Sequence, residues 1–303
     1  MGAEPVAECI WPLEATLGEG PVWHEASASL WFVDIKGRRV HRYTPSGSAA
    51  SGRRASWEAP DQVSFLAPRA DGRFVAGLKC GLHLFDPADG GFQLLHVVEP
   101  PELDNRTNDA HVDAQGRVWF GTMHDGESAT SGALYCLDAG TVHRRDSGYC
   151  ITNGPATSPD GRTLYHADTL RRIVYAFDLS PDGHLSRRRE FVRIEAAAGW
   201  PDGLSVDSAG RVWVGLWGGW GAQSFLPDGR PGEFVRLPCA NVTKVAFGGP
   251  ELRTMYFTTA RKGLAADALA TQPLAGGLFA ARSDVAGLQP RLAQAGPTGA
   301  GPG

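Results

Sequence analysis

One short phrase recurs six times along the 303-residue chain, and this repeat constrains the fold more than any other feature. Each copy is a turn of small or polar residues, then Arg or Leu, then an aromatic-rich alternating strand. The Arg or Leu residues of the six copies are Leu30, Arg73, Arg117, Arg162, Arg211 and Arg253, spaced 42 to 49 residues apart. An interval in the forties, with no helical pattern between copies, is typical of four-stranded propeller blades. The sequence therefore predicts an all-β fold, a six-bladed β-propeller with four-stranded blades.

The composition agrees with this fold. The chain contains 39 Gly and 21 Pro, and both residues disfavour helix interiors but suit short strands and tight turns. A solenoid is the competing repeat architecture, but it needs capping repeats, and the first and last copies here are ordinary. We expect a single propeller domain over residues 1–292 and a flexible Gly/Pro-rich tail over residues 293–303.

Several partners and locations are disfavoured by charge and patterning. The net charge is −4, whereas a nucleic-acid-binding surface needs a concentrated basic face. No apolar run approaches the roughly 20 residues that span a bilayer, and the N-terminus does not resemble a signal peptide. The five cysteines are scattered and form no Cys-x-x-Cys pair, which indicates a reducing compartment. We therefore expect a cytoplasmic monomer that binds neither nucleic acid nor membrane.

A second pattern lies nine to twelve residues before each Arg or Leu of the repeat. Every blade has an oxygen-bearing polar side chain there. The six residues are Glu19, Gln62, Asn108, Asn153, Asp202 and Asn241. The innermost strand of each propeller blade lines the central channel, so equivalent positions are related by rotation about its axis. We expect these six side chains to converge at one end of the channel.

Carboxylate and amide oxygens, with no Lys or Arg among them, are an environment for a hard cation. Glu19 and Asp202 are the two that can carry negative charge toward a divalent ion. Asn and Asp also cap turns through their own backbone, which explains any one of these residues. Turn capping does not explain six residues in register, and Glu19 and Gln62 are poor formers of such turns. The pattern therefore favours a metal site.

The motifs around these residues resemble a known family, the gluconolactonase, regucalcin (senescence marker protein) and luciferin-regenerating enzyme group. The motifs, in chain order, are L-G-E-G-P, N-R-x-N-D, G-T-M, T-N-G-P, P-D-G, and N-V-T followed by F-G-G-P. The resemblance covers essentially the whole chain. Residues 121–126 and 216–219 make it most similar to the bacterial pentonolactonases, the xylonolactonases and arabinonolactonases.

This resemblance implies an enzyme that hydrolyses small sugar (aldono) lactones, such as xylonolactone, arabinonolactone or gluconolactone. It implies that Glu19, Asn153 and Asp202 bind one divalent metal ion, and that Arg106 and Asn108 contact the substrate. Asp202 is the candidate general base for water. The metal can be Ca²⁺, Fe²⁺, Zn²⁺, Mn²⁺ or Mg²⁺, and the sequence does not choose among them.

Other functions stay open at this point. A phosphotriesterase or aryl esterase on the same scaffold is one, and a calcium-binding regulatory propeller is another. A glycosidase is weaker, because it needs two carboxylates that the metal does not occupy.

Single residues around the predicted site also have alternative roles. Arg106 can instead form a salt bridge to Asp104 or Asp109. Relatives similar to regucalcin carry a substrate-binding Glu after G-T-M. Asp125 and Glu127 lie near that position without aligning to it, so the predicted site omits both.

Overall fold

The computed structural model describes residues 7–294. These residues form six antiparallel sheets of four strands each, and the sheets are the blades of a six-bladed β-propeller. Each blade except the last consists of four strands that follow one another in the chain. The fold predicted from the repeat is therefore confirmed.

The strand bounds are given from the innermost to the outermost strand of each blade. Blade 1 contains β2 (Gly18–His24), β3 (Ser29–Asp34), β4 (Arg39–Ser46) and β5 (Ser48–Glu58). Blade 2 contains β6 (Val63–Pro68), β7 (Phe74–Leu78), β8 (Gly81–Asp86) and β9 (Gly91–His96). Blade 3 contains β10 (Asn105–Val112), β11 (Val118–His124), β12 (Gly132–Asp138) and β13 (Thr141–Tyr149).

Blade 4 contains β14 (Thr152–Thr157), β15 (Thr163–Asp168), β16 (Ile173–Leu179) and β17 (Leu185–Arg193). Blade 5 contains β18 (Trp200–Val206), β19 (Val212–Trp217), β20 (Gly221–Phe225) and β21 (Pro231–Arg236). Blade 6 contains β22 (Val242–Gly248), β23 (Thr254–Thr259), β24 (Leu278–Arg282) and β1 (Glu8–Trp11). The α-helix α1 (Ala266–Thr271) lies between β23 and β24, and four single-turn 3₁₀ helices occur in loops, at Glu25–Ser27, Pro101–Leu103, Ala196–Ala198 and Pro250–Leu252.

The last blade closes the ring. Strand β1, from the start of the chain, pairs antiparallel with β24 from its end, and so becomes the outermost strand of blade 6. Both ends of the propeller are thereby hydrogen-bonded into one sheet. This closure leaves no free edge between the first and last blades.

The repeat phrase lies on the second strand of each blade, and its Arg has a structural role. In blade 3, the Asp113 carboxylate accepts from the Arg117 backbone N–H at 3.0 Å, from Arg117 Nε at 2.6 Å and from Trp119 Nε1 at 2.8 Å. Asp207 makes the same three kinds of bond in blade 5. This buried network fixes the turn between the first two strands and anchors a buried Trp between blades.

The far end of the channel, opposite the start of the innermost strands, contains a cavity of about 190 Å³. Residues from the later halves of all six innermost strands line it, and segment 288–291 crosses it. The chain after this segment stays attached, since Ala293 N donates to Pro68 O at 2.7 Å and Gln294 N to Gly116 O at 2.9 Å. The rest of the predicted tail, residues 295–303, lies outside the described residues. Within residues 7–294, no helix has the length and apolar character needed to cross a membrane.

Candidate active site at one end of the channel

The channel is surrounded by the six innermost strands, β2, β6, β10, β14, β18 and β22, each in contact with the next around the ring. In every one of them the pairing with the second strand shifts by a β-bulge near the predicted polar residue. Bulges redirect side chains and are common beside active sites. Gly20 and Gly154 lie in two of these bulges with φ of +54° and +72°, which only glycine adopts readily. The bulges therefore turn polar side chains toward the channel.

Four of the six predicted residues meet in two pairs, and all four are buried. The Asp202 and Glu19 carboxyl groups are close enough to hydrogen-bond when one of them is protonated, and this contact raises the pKa of Asp202. Asn108 Nδ2 donates to Asn153 Oδ1 at 2.9 Å and to the Thr152 carbonyl at 2.5 Å. These residues come from blades 1, 3, 4 and 5.

The other two predicted residues bond elsewhere. Gln62 Nε2 donates to Asp125 Oδ2 at 2.9 Å. Asn241 Nδ2 donates to the Lys262 carbonyl at 3.0 Å. The sequence expectation of six equivalent side chains around one point therefore holds for the backbone positions but not for every side chain.

A chain of hydrogen bonds orients the Asn153 side chain. Its Nδ2 atom donates to Thr169 Oγ1 at 2.9 Å, and the Thr169 hydroxyl donates to the Pro201 carbonyl at 2.8 Å. Pro201 precedes Asp202, so this chain connects blade 4 to the carboxylate of blade 5. With Nδ2 committed to Thr169, the Asn153 Oδ1 atom is left to accept.

The two carboxyl groups are strongly perturbed by their surroundings. Burial, and then the neighbouring Asp109 carboxylate, raise the pKa of Glu19 to about 8. Burial, followed by the charges of Glu19 and Asp109, raises the pKa of Asp202 well above its ordinary range. A hydrogen bond between two carboxyl groups requires a proton on one of them.

These residues fit a divalent cation by the chemistry of their donors. Two buried carboxyl groups in contact would accept a cation in place of their shared proton, and the amide oxygen of Asn153 is a third hard ligand. Among residues 7–294, no group of three or more His, Cys, Asp or Glu side chains is arranged to hold a metal. The fit therefore rests on Glu19, Asn153 and Asp202.

Arg106 is buried beside this group, and its partners differ from both alternatives that the sequence suggested. Its Nε atom lies 3.2 Å from Asp125 Oδ1, so Asp125 is the salt-bridge partner rather than Asp104 or Asp109. One terminal nitrogen donates to Asn108 Oδ1 at 2.6 Å. Arg106 thus connects the loop after β11 to the bonded asparagines.

Asp125 is a site residue that the sequence analysis left out. Lys36 lies 2.7 Å from its Oδ1 atom, and Lys79 lies 3.2 Å from its Oδ2 atom, which also accepts from Gln62. Partial burial raises its pKa, but the bonds from Lys36, Gln62 and Lys79 outweigh burial and hold that pKa well below its usual range. Glu127 instead pairs with Lys262. The position of both residues in the loop after G-T-M indicated a carboxylate at the site, but sequence position alone did not show which of the two it is.

Lys244 and Asp109 were also missed. Lys244 Nζ lies 2.5 Å from Asp109 Oδ1, and both side chains are buried in the channel. The charge of Asp109 raises the pKa of both Glu19 and Asp202, whereas the charge of Lys244 lowers the pKa of Glu19. The sequence feature that could have indicated this pair is a Lys within a predicted innermost strand, because a buried Lys needs an acidic partner.

The channel geometry and the spacing of its motifs agree with one protein family. The model described as SMP-30/Gluconolactonase/LRE-like region matches residues 17–261. The chain belongs to this family. The resemblance inferred from the motifs is therefore confirmed.

Relatives in the SMP-30/gluconolactonase/LRE-like family are similar over almost their whole length. A 6-deoxy-6-sulfogluconolactonase from Pseudomonas putida is 34% identical over 287 residues, which cover 92% of this chain and 96% of that protein. An L-arabinolactonase from Azospirillum brasilense is 34% identical over 278 residues, with 90% of each chain covered. The solved structure of a calcium-binding protein, regucalcin, from Agrobacterium tumefaciens has a TM-score of 0.90 at 28% identity, covering 97% of this chain and 98% of that chain.

Proposed function

We propose that the protein is a metal-dependent lactonase that hydrolyses small sugar lactones to the corresponding aldonic acids. Family membership and the lactonase names of two relatives support sugar-lactone hydrolysis. The observation that carries the rest is the bonded series from Arg106 through Asn108 to Asn153, beside the Glu19–Asp202 pair. A substrate held by Arg106 and Asn108 would lie against the proposed metal ligands, which are Glu19, Asn153 and Asp202.

Glu19, Asn153 and Asp202 would hold one divalent ion. Bound there, the ion supplies Lewis acidity to a carbonyl oxygen and favours the ionisation of water. Ca²⁺, Fe²⁺, Zn²⁺, Mn²⁺ and Mg²⁺ are the candidates, and the all-oxygen donor set favours the harder ions.

Asp202 is the proposed general base. As a ligand of the ion, Asp202 would be an ionised carboxylate beside the attacking water, so it can accept a proton from the water that attacks the lactone. A positioned base typically contributes roughly 10²–10⁴-fold to the rate. Once the ring opens, the proton held by Asp202 can be returned to the leaving alkoxide oxygen, which becomes a hydroxyl of the aldonic acid.

Arg106 and Asn108 are the proposed substrate-binding residues. The bond from Arg106 holds the Asn108 amide in one orientation, with its NH₂ group bonded to Asn153 and to the Thr152 carbonyl. Asp125 neutralises part of the Arg106 charge, and Nη1 bonds to Thr107 and Asn108, so the Nη2 group would donate to sugar hydroxyls. Aldonolactones of five or six carbons are the proposed substrate class.

The decisive experiment is hydrolysis of a panel of aldonolactones after chelation and re-addition of single metals. We expect ring opening only with metal, and no activity from the Asp202→Asn variant at saturating metal. The matched control is Asp228→Asn, an exposed Asp in the turn at the far end of blade 5. Full activity in the presence of chelator would contradict the metal role.

The same panel separates the rival functions. Metal binding without hydrolysis of any lactone would favour a calcium-binding regulatory propeller, as the name of the Agrobacterium relative suggests for that protein. Faster hydrolysis of aryl esters or phosphotriesters than of every lactone would favour an esterase on this scaffold.

We further propose that the chain works as a cytoplasmic monomer, with residues 1–292 as its one domain and a small-molecule lactone as its partner. All five cysteines are unpaired, as suits a reducing compartment. Size-exclusion chromatography with light scattering tests the oligomeric state, and a dimer mass would contradict it.

A further inference from the structure

An ion pair crosses the channel just below the candidate site. Lys244, the third residue of β22 in blade 6, reaches Asp109 on β10 in blade 3. Its Nζ atom donates to Asp109 Oδ1 at 2.5 Å and to the Ala110 carbonyl at 3.1 Å. Blades 3 and 6 lie opposite each other in a ring of six, so this contact spans the full width of the channel.

The path of the Lys244 side chain depends on a glycine of blade 5. A Cβ atom built on Gly203 would lie 2.6–2.8 Å from the Cβ, Cγ and Cδ atoms of Lys244. Since such distances are too short for carbon atoms, only glycine at position 203 leaves room for the aliphatic stem to cross. Gly203 directly follows Asp202, a proposed metal ligand.

The other end of the ion pair bonds to the backbone of the residue that follows a second proposed ligand. Asp109 Oδ2 accepts from the Gly154 N–H at 3.1 Å, and Asp109 Oδ1 accepts from the Ala110 N–H at 2.8 Å. Gly154 directly follows Asn153. The residue after each of two proposed ligands, on blades 4 and 5, therefore touches the same ion pair.

We propose that Asp109 and Lys244 are positioning residues that hold the backbone of Asn153 and Asp202 at the spacing a divalent cation requires. This inference rests on the proposed function only in taking those two residues as ligands. Groups that orient metal ligands typically change metal affinity or activity roughly 10–100-fold when they are removed. The ion pair also separates the candidate site from the far cavity, which Lys244 helps to line.

A role in positioning and a role through charge predict opposite results. Lys244 carries positive charge beside the proposed cation site. If it acted only through that charge, its removal would strengthen cation binding, because like charges repel. If it positions the ligands, its removal weakens cation binding.

The first test is the Lys244→Met variant, which keeps the aliphatic stem and removes the ammonium. Calorimetric titration of the full-length, chelator-treated protein with Mn²⁺ and with Ca²⁺ measures the affinity. We expect the Kd to rise roughly 10–100-fold. An unchanged or lower Kd would overturn the proposal. The matched control is Arg117→Met, which breaks the buried pair with Asp113 at the far end of blade 3. It should lower the Tm but leave the Kd within about twofold of wild type.

A second variant distinguishes loss of positioning from misfolding of the single variant. Asp109→Asn/Lys244→Met removes both charges, so it leaves no unpaired buried charge and does not alter the net charge near the site. Charge alone therefore predicts an unchanged Kd, whereas positioning predicts a weaker one. A wild-type Kd in this double variant would overturn the proposal. Wild-type protein that binds metal but opens no lactone would contradict the proposed function and leave this comparison of affinities readable.

Discussion

The Nδ2 atom of Asn108 donates to the Oδ1 atom of Asn153 at 2.9 Å, which joins a proposed substrate-binding residue to a proposed metal ligand. The orientation of the Asn108 amide is fixed at its other end, where Arg106 donates to Asn108 Oδ1 at 2.6 Å. With its oxygen facing Arg106, the amide can present only its NH₂ group to Asn153. The proposed substrate-binding residues therefore lie next to the proposed metal ligands, but the two sets consist of different residues.

The Arg106→Ala variant tests this separation. We expect kcat/KM for pentonolactones to fall roughly 10–150-fold, because a hydrogen bond from a charged group contributes about 1.5–3 kcal/mol. Metal affinity should change little, since Arg106 is connected to Asn153 only through the side chain of Asn108. Steady-state kinetics at saturating metal and a metal titration measure the two effects, with the half-exposed Arg39→Ala as control. Weakened metal binding with unaltered kinetics would show that Arg106 only supports the site structurally.

Asp202 combines two proposed roles, so its removal should not be repaired by excess metal. We expect Asp202→Ala to lose at least about 10²-fold in kcat at any metal concentration, because a positioned base alone contributes that much. Turnover is measured across a metal titration. Activity above about a tenth of the wild-type value would exclude the general-base role.

Asp125 and Glu127 provide a matched pair for the loop after β11. Asp125 contacts Arg106, Lys36 and Lys79, whereas Glu127 contacts Lys262. We expect Asp125→Asn to lower kcat/KM about 10-fold or more, because Arg106 loses its charged partner. Glu127→Gln should stay within about threefold of wild type. Equal effects of the two substitutions on lactone kinetics would argue against a specific role for Asp125.

The fold and the position of the site could be predicted because both depend on a repeat. An interval in the forties requires blades, and rotation about the axis brings equivalent residues to one end of the channel. Glu19 and Asp202 were found in this way, and the structure brings their carboxyl groups together. The Arg of the repeat also has a physical basis, in the Asp113–Arg117 network.

The contacts that break the repeat could not be predicted. Lys244 reaches Asp109 across 135 positions of sequence, and Asp125 collects partners from three blades. Such contacts depend on side-chain length and direction within the channel, which periodicity does not encode. Gln62 shows the same limit, because its backbone position follows the repeat while its side chain bonds to Asp125.

Buried histidines make the stability of the fold sensitive to acid. Burial, followed by the charge of Arg188, lowers the pKa of His166 to about 3, and burial lowers those of His41 and His111 to about 4. In the unfolded chain a His titrates near pH 6.5. As the pH falls below about 6.5, these histidines therefore bind protons in the unfolded state but not in the native state. The free energy of unfolding decreases until the pH reaches the pKa of the histidine in the native state. At pH 5 each such His lowers the free energy of unfolding by about 2 kcal/mol.

The His166→Phe variant isolates one of these contributions. Among residues 7–294, neither ring nitrogen of His166 has a hydrogen-bond partner, and its ring packs edge-on against Tyr149 at 4.8 Å. Phe preserves that ring contact and cannot be protonated, so we expect it to stabilise the protein at pH 7.5 and to stabilise it by about 2 kcal/mol more at pH 5. Urea unfolding at both pH values measures the difference, with exposed His184→Gln as the control. A gain that is the same at both pH values would mean that His166 titrates alike in the native and unfolded chains, and burial would then not be the source of acid sensitivity at this position.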